Sequence, residues 1–412
     1  MELCKIGVVG TGRGLIMMNF CKDTGKAKLV AVCDNQQTAI DHAKKTYGTE
    51  GVTFYSNFRE FLKHDMDVVI LANYATEHAP LAIAAMEAGK HVISEVLPVQ
   101  TMSEAVALVE CMERTGKIYC YAEEFCYMGA PYEMKQKYKA GLLGEFEYGE
   151  GEYLHNCEPI WSQITHGNPN HWRNNMSAFY YCTHSVGPLL HIAGMRPVRV
   201  NGFELPFNAR MARMGAKAGF AAVEMITLEN GALLKSLHGI GPSKDSIWYS
   251  VYGSKGRLES AREDAEVGNN NRIYVNLDAE EGVCDLDVQT YTVWEHPEAC
   301  GHDGSDYVCL TNCVDYIMGD TSADVIDLYE ALDMWMCGFF GYLSWLDGCV
   351  PKEIPDLRDP QVRELYRNDH RCTDPAVAGD QLMPSYSKGN PVVPEGVYKH
   401  YEQMWLESLK NE

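Results

Sequence analysis

Five residues near the N-terminus have the types and spacing to hold a phosphate. The apolar run Ile6-Gly7-Val8-Val9 reads as a strand, and Gly10-Thr11-Gly12-Arg13-Gly14 follows it directly. Glycines at 10 and 12 let the chain turn tightly and bring backbone N–H groups against a pyrophosphate at a helix N-terminus. The third glycine of the usual spacing is displaced, because Leu15 stands in its place and Gly14 precedes it. Asp34 closes the second strand pattern 24 residues after Gly10, where an acidic side chain accepts hydrogen bonds from adenosine ribose hydroxyls. A carboxylate there repels a 2′-phosphate, and Asn35-Gln36-Gln37 supplies no arginine to attract one. The expected cofactor is therefore NAD rather than NADP.

These residues need a frame to position them. Up to about residue 122, short apolar runs alternate with amphipathic stretches. Residues 5–9, 28–33, 68–72, 91–94 and 118–122 read as strands, and 15–24, 38–47, 77–88 and 103–115 carry helical periodicity. Strict alternation predicts a doubly wound parallel sheet, a Rossmann domain over residues 1–128. Beyond Tyr127 a helical segment at 131–140 leads into strand patterns at 145–155, 199–205, 221–229, 233–238 and 248–252. Turns such as Glu229-Asn230-Gly231 link some of them, which favours an open, mostly antiparallel sheet in a second α/β domain, residues 129–350. Residues 323–346 turn helical again and are expected to pack back on the first domain. The Pro-rich, aromatic-containing tail, 351–412, reads as an arm that wraps a surface or a partner subunit.

Composition removes several classes of function. A formal net charge of −22 with no Lys/Arg cluster argues against a nucleic-acid partner. No run of about 18 apolar residues occurs, and the N-terminus enters a strand pattern without a signal-like segment, so the expectation is a cytoplasmic protein that neither spans nor binds a membrane. The 15 cysteines are scattered without a CxxC pair. They are expected to be buried free thiols, with Cys309 and Cys313 on one helix face, and no metal site is predicted.

Further residues resemble a known family. Val68-Val69-Ile70-Leu71-Ala72, then His78, then Ala88-Gly89-Lys90-His91-Val92-Ile93-Ser94-Glu95, resembles the Gfo/Idh/MocA oxidoreductases over most of the chain. The resemblance implies a Rossmann domain followed by an α/β domain whose open sheet carries a sugar or cyclitol site, and it implies homo-oligomers that cover that sheet. Most members have Glu-Lys-Pro after the fourth strand, whereas this sequence reads Glu95-Val96-Leu97-Pro98. The Asp usually found four positions before the family histidine is replaced by Tyr180 if that histidine is His184.

One branch shares these departures. The NAD-dependent α-N-acetylgalactosaminidases and related redox glycosidases resemble this chain at Glu95-Val96, Glu123, Tyr127, Gly151-Glu152-Tyr153 and Trp172-Arg173. They resemble it most specifically at Tyr181-Cys182-Thr183-His184-Ser185-Val186-Gly187-Pro188, with a weaker echo at Gly301 to Asp306. The resemblance implies Glu123, Tyr153, Tyr181 and His184 around sugar and nicotinamide. Beside the loop Gly10 to Gly14 and Asp34, it extends cofactor contacts to Asn73, His78, Glu95, Trp172 and Arg173.

Such an enzyme oxidises the sugar at C3, which acidifies the C2 proton; elimination then expels the C1 group, water adds, and the hydride returns. It needs an acceptor for the C3 hydroxyl proton, a C2 base, and an acid for the leaving oxygen. His184 suits the first task because imidazole titrates near neutrality, and Tyr181, three residues earlier, is expected on the same helix face. Tyr153 is the candidate C2 base if a positive charge, from the nicotinamide or Arg173, lowers its pKa. Glu123 is expected to bind the sugar or orient the nicotinamide amide. Trp161, Trp172 and Trp248 are candidates to stack on a sugar, and His302 and Asp306 are outlying candidates. The alternatives are a net dehydrogenase of a sugar, glycoside or cyclitol, and an NAD-binding sensor without turnover.

Overall fold

The structure, a computed structural model, describes residues 2–262, 272–278 and 301–411. The chain forms two compact units. The first comprises Met1–Tyr132, Thr290–Leu332 and Asp356–Asn368, and the second comprises Glu133–Gln289, Asp333–Pro355 and Asp369–Glu412. The last 62 residues, expected as one arm, are thus shared between them. Residues 356–368 join the first unit, where Arg363 and Arg367 pair with Glu113 and Glu110.

The first unit holds six strands: β1 (Cys4–Val9), β2 (Ala27–Cys33), β3 (Thr53–Tyr55), β4 (Val68–Leu71), β5 (His91–Glu95) and β6 (Tyr119–Ala122). They are all parallel, in the order β3-β2-β1-β4-β5-β6. The chain order reverses between β1 and β4, the switch point beside which such sheets bind ligands at their C-terminal ends. Every residue of β4 is buried, as a strand covered on both faces requires. Helices Gly14–Asp23, Gln37–Tyr47, His78–Glu87 and Met102–Thr115 fill the crossovers. Thr101 caps the last of these by accepting from the Glu104 amide.

Eight strands form the sheet of the second unit: β7 (Phe146–Leu154), β8 (Pro197–Glu204), β9 (Ala222–Leu228), β10 (Leu233–Gly239), β11 (Ser246–Gly253), β12 (Gly256–Ser260), β13 (Ile273–Leu277) and β14 (Lys352–Glu353). Their order is β13-β12-β11-β7-β10-β9-β8-β14. All pairs are antiparallel except β7 with β10. Alternation is clear on β9, where Ala222, Glu224, Ile226 and Leu228 are buried and the residues between them half-buried. The helix Thr183–Ala193, buried at every position, lies against β7. It can do so because Gly149 and Gly151 present no side chains there; a Cβ on Gly151 would stand 2.0 Å from the Ser185 carbonyl oxygen.

The helix expected over 323–346 is observed at Leu328–Leu346. A second, Ser305–Ile317, carries Cys309 and Cys313. Thirteen cysteines are free thiols, all buried but Cys349, while Cys284 and Cys300 lie outside the described residues. Among the described residues no helix is long and apolar enough to cross a membrane.

Candidate functional site

In the first unit the glycine loop leaves β1 as the spacing predicts. Gly10 has φ +85°, and a Cβ there would meet Ala72 and Asn73 backbone at 2.7 Å, so the turn requires glycine. A Cβ on Gly12 would meet nothing within 4 Å, whereas one on Gly14 would lie 2.8 Å from Val8 Cγ1. Gly14 therefore performs the helix-to-strand packing usually given to the third glycine, which explains its displaced position. The backbone at Gly12 stays open to a ligand.

Asp34 sits just past β2 and ties the loop down. Its carboxylate accepts from the Thr11 amide at 2.8 Å, the Thr11 hydroxyl at 2.9 Å and the Gln36 amide at 2.9 Å, so it braces the loop as well as standing where a ribose would bind. Asn73 Nδ2 donates to Glu77 while its Oδ1 is buried and has no partner among the described residues. The open backbone at Gly12, the carboxylate at 34 and the orphan amide oxygen at 73 together fit an adenine dinucleotide. His78 is fully buried, its Nδ1 2.8 Å from the Leu97 carbonyl oxygen and its Nε2 unpartnered among the described residues. Burial holds its pKa below the usual value. Glu123 directly follows β6 and is fully buried.

Arg13 does more than the sequence suggests. Its Nε donates to Glu95 Oε1 at 2.7 Å, its two terminal nitrogens donate to Asp306, and Glu124 Oε1 lies 3.7 Å away. His302 Nδ1 stands 3.0 Å from Asp306 and 3.5 Å from Glu124. The outlying candidates His302 and Asp306 thus belong to a charged cluster around the loop. Glu124, His302 and Asp306 bring ligand atoms within 4.8 Å of one another, a grouping that suits a cation, and the Arg13 guanidinium supplies that charge.

Burial opposes the charge on His302, but Glu124 and Asp306 outweigh it and raise its pKa to about 9. Burial, reinforced by Glu95, lifts Glu124 to about 7. Both groups bind a proton more tightly folded than unfolded, so their stabilisation is complete below the unfolded values and is lost as pH rises through about 7 and about 9. Asp306, held below the usual range by His302 and Arg13 despite its burial, works the opposite way, but only at acid pH. Thermal stability should fall as pH rises to about 9, with the His302 share lost above its ordinary value of 6.5, by on the order of a few degrees given that His302 is one-third exposed. His302→Gln should flatten that fall. An unchanged alkaline slope in this variant would detach the effect from His302.

The second unit gathers aromatic and basic groups. Tyr153, on β7, has its ring centroid 4.6 Å from that of His184 and 6.5 Å from that of Tyr181, and Tyr181 lies 5.5 Å from His184. The sequence placed Tyr181 and His184 on one helix, but the helix starts at Thr183 and Tyr181 stands in the preceding turn. The two still meet, because Cys182 between them already has right-handed helical backbone angles. The Arg173 guanidinium lies over the rings of Trp172 and Tyr181, at 4.7 and 4.9 Å. Arg173 therefore faces Tyr181, and the Tyr153 hydroxyl lies 3.0 Å from His155 Nδ1.

His155 is the residue that sequence reading missed. Its signal was the Tyr-x-His spacing, which puts both side chains on one face of a strand. Two of the three tryptophan candidates stand apart. Trp161 is fully buried with its indole N–H on Asn174, and Trp248 pairs with Glu152 on the opposite sheet face, under Arg262. Trp172 stacks on Tyr181, and its buried indole N–H lacks a partner among the described residues.

Comparison with known proteins adds three findings. Residues 4–123 match the Gfo/Idh/MocA oxidoreductase family, an NAD-binding Rossmann fold. An α-N-acetylgalactosaminidase of Shewanella oneidensis is 28% identical over 370 residues, covering 80% of each chain. The fold is shared with an oxidoreductase domain protein of Kribbella flavida (19% identity, TM-score 0.69, 86% of this chain and 100% of that one). It is also shared with the WlbA dehydrogenase of Bordetella pertussis, solved with NADH and UDP-GlcNAcA (18% identity, TM-score 0.66, 86% and 99%).

Proposed function

Because residues 4–123 carry the NAD-binding Rossmann domain of the Gfo/Idh/MocA oxidoreductases, we propose that this enzyme uses NAD to cleave a glycoside without net redox change, through oxidation at C3 of the sugar. The observation that carries this reading is the grouping of Tyr153, Tyr181 and His184 beside Arg173 and Trp172. The likeness to a protein named α-N-acetylgalactosaminidase supports a glycoside substrate.

Gly10 to Gly14, Asp34, Asn73, His78 and Glu95 would hold the cofactor. Bound NAD supplies a reversible hydride acceptor. His184 takes the proton of the C3 hydroxyl, and Tyr181 orients the sugar. Tyr153 removes the C2 proton, and the adjacent His155 Nδ1 can share the proton of its hydroxyl. Glu123 binds the sugar or orients the nicotinamide amide. Exposed Phe203 and Leu233 on one face of the eight-stranded sheet support a homo-oligomer that covers that face. The high acidic charge and buried thiols suit a cytoplasmic protein.

The test is a panel of α- and β-linked chromogenic glycosides, with aglycone release and reduced-cofactor absorbance followed together. Release without NADH accumulation, with deuterium from heavy water entering at C2, is the expected result. NADH accumulating in proportion to a keto sugar with no aglycone released would instead make the enzyme a net dehydrogenase.

A further inference from the structure

Behind His184 runs a buried polar chain that the proposed chemistry does not use. Ser185, Ser236 and His238 are fully buried. Ser185 Oγ donates to the Cys182 carbonyl oxygen at 2.9 Å and lies 2.7 Å from Ser236 Oγ. Ser236 Oγ in turn lies 2.9 Å from His238 Nδ1. Each hydroxyl has one proton, so these contacts fix a single direction. With the Ser185 proton on Cys182, Ser236 must donate to Ser185, and His238 must donate to Ser236 through Nδ1–H. The imidazole is then the Nδ1–H tautomer, and its Nε2, which has no partner among the described residues, carries a buried lone pair. Burying that lone pair costs stability that an apolar residue of similar size would not, so the histidine must be doing something for the helix above it.

What the chain holds is the backbone on either side of His184. Ser185 is fixed from below by Ser236, the His184 carbonyl oxygen accepts from the Tyr249 hydroxyl at 2.6 Å, and the bare Gly151 lets the Ser185 carbonyl rest on β7. Among the groups facing His184 are Tyr153 from β7, Tyr181 from the preceding turn and His238 from β10. Of the two imidazoles, His238 stays neutral, because burial and then the neighbouring His184 charge push its pKa down to about 3.

We propose that Ser236 and His238 are positioning residues that fix the first turn of the helix Thr183–Ala193, and so hold the His184 imidazole against Tyr153. This rests on the reading of His184 as the acceptor of the sugar C3 proton. Of these two imidazoles, only His184 is then left to take a proton from the sugar.

The test uses the full-length protein and three variants. His238→Asn keeps an N–H donor near the place of Nδ1, His238→Phe removes it, and Ser236→Ala breaks the chain one link higher. On glycosides cleaved by the parent, His238→Phe and Ser236→Ala should lower kcat by about tenfold with KM changed less than about twofold, since small misplacement of a reacting group costs rate before binding. His238→Asn should recover most of that rate. With ¹⁵N-histidine labelling, His238 should remain the neutral Nδ1–H form from pH 5 to 9, and the His184 titration should move in the two disruptive variants but not in His238→Asn. If His238→Phe fails to fold, Ser236→Ala carries the same comparison. Folded disruptive variants with parental kcat and an unmoved His184 titration would overturn the proposal. Should the parent cleave no glycoside, the functional reading fails, and the His184 titration still decides the positioning role.

Discussion

Replacing Arg13 with Met should cost about 3–5 kcal/mol of stability, the range found when one partner of a buried ion pair is removed. The guanidinium holds three carboxyl groups, those of Glu95, Glu124 and Asp306, whose side chains are 7%, 5% and 2% exposed. Without it their repulsion is offset only by His302, which is itself more exposed. Arg13→Lys should recover a fraction of the loss, because a point charge cannot replace a fork that meets Glu95 through Nε and Asp306 through both terminal nitrogens. The same change should loosen cofactor binding, since Arg13 lies within the loop whose backbone at Gly12 is open to a ligand. Denaturant unfolding of the three proteins, with NAD titrated into each by fluorescence, measures both effects. An Arg13→Met protein as stable as the parent would show that the carboxyl groups take up protons at little cost, and that the cluster is not an anchor.

That cluster also marks where sequence reading ends. The loop, the alternation of strands and helices and the change of texture near Tyr127 are local patterns, and they were legible. The three-residue strand Thr53–Tyr55 was missed because a strand so short, none of it buried, has no period to display. Gly256–Ser260 escaped for a related reason: on this outer strand Leu258 is the one apolar residue in five. Arg13 and Asp306 are 293 positions apart, and no spacing rule joins them. The Tyr181 to His184 motif was legible as a motif but not as geometry, because the helix begins two residues after Tyr181. His155 and His238, each at a strand end, looked like ordinary strand residues. The partner of His155 follows from the alternation along β7, whereas Ser185 reaches His238 from the facing helix, and only the register reveals that contact.

The two readings of the chemistry separate most sharply at His184 and Tyr153, which share a site but not a step. His184→Asn should lower turnover by about 10²–10⁴-fold, the usual contribution of a positioned general base, and both NADH formation and aglycone release should disappear together. NAD binding through the glycine loop should persist, because His184 and the loop belong to different units. Tyr153→Phe should behave otherwise. The ring contacts with His184 and Tyr181 remain, while the hydroxyl is lost together with its link to His155 Nδ1. Oxidation at C3 should therefore proceed while elimination stalls, so NADH appears in a single turnover without aglycone release or deuterium exchange at C2. Rapid-mixing absorbance at the reduced-cofactor band, followed by quenching for free aglycone, resolves the two events. If Tyr153→Phe releases aglycone at the parental rate, the C2 base is another residue. If instead it abolishes NADH formation as completely as His184→Asn does, the two residues act in one proton transfer at C3, and elimination needs a base from elsewhere in the protein.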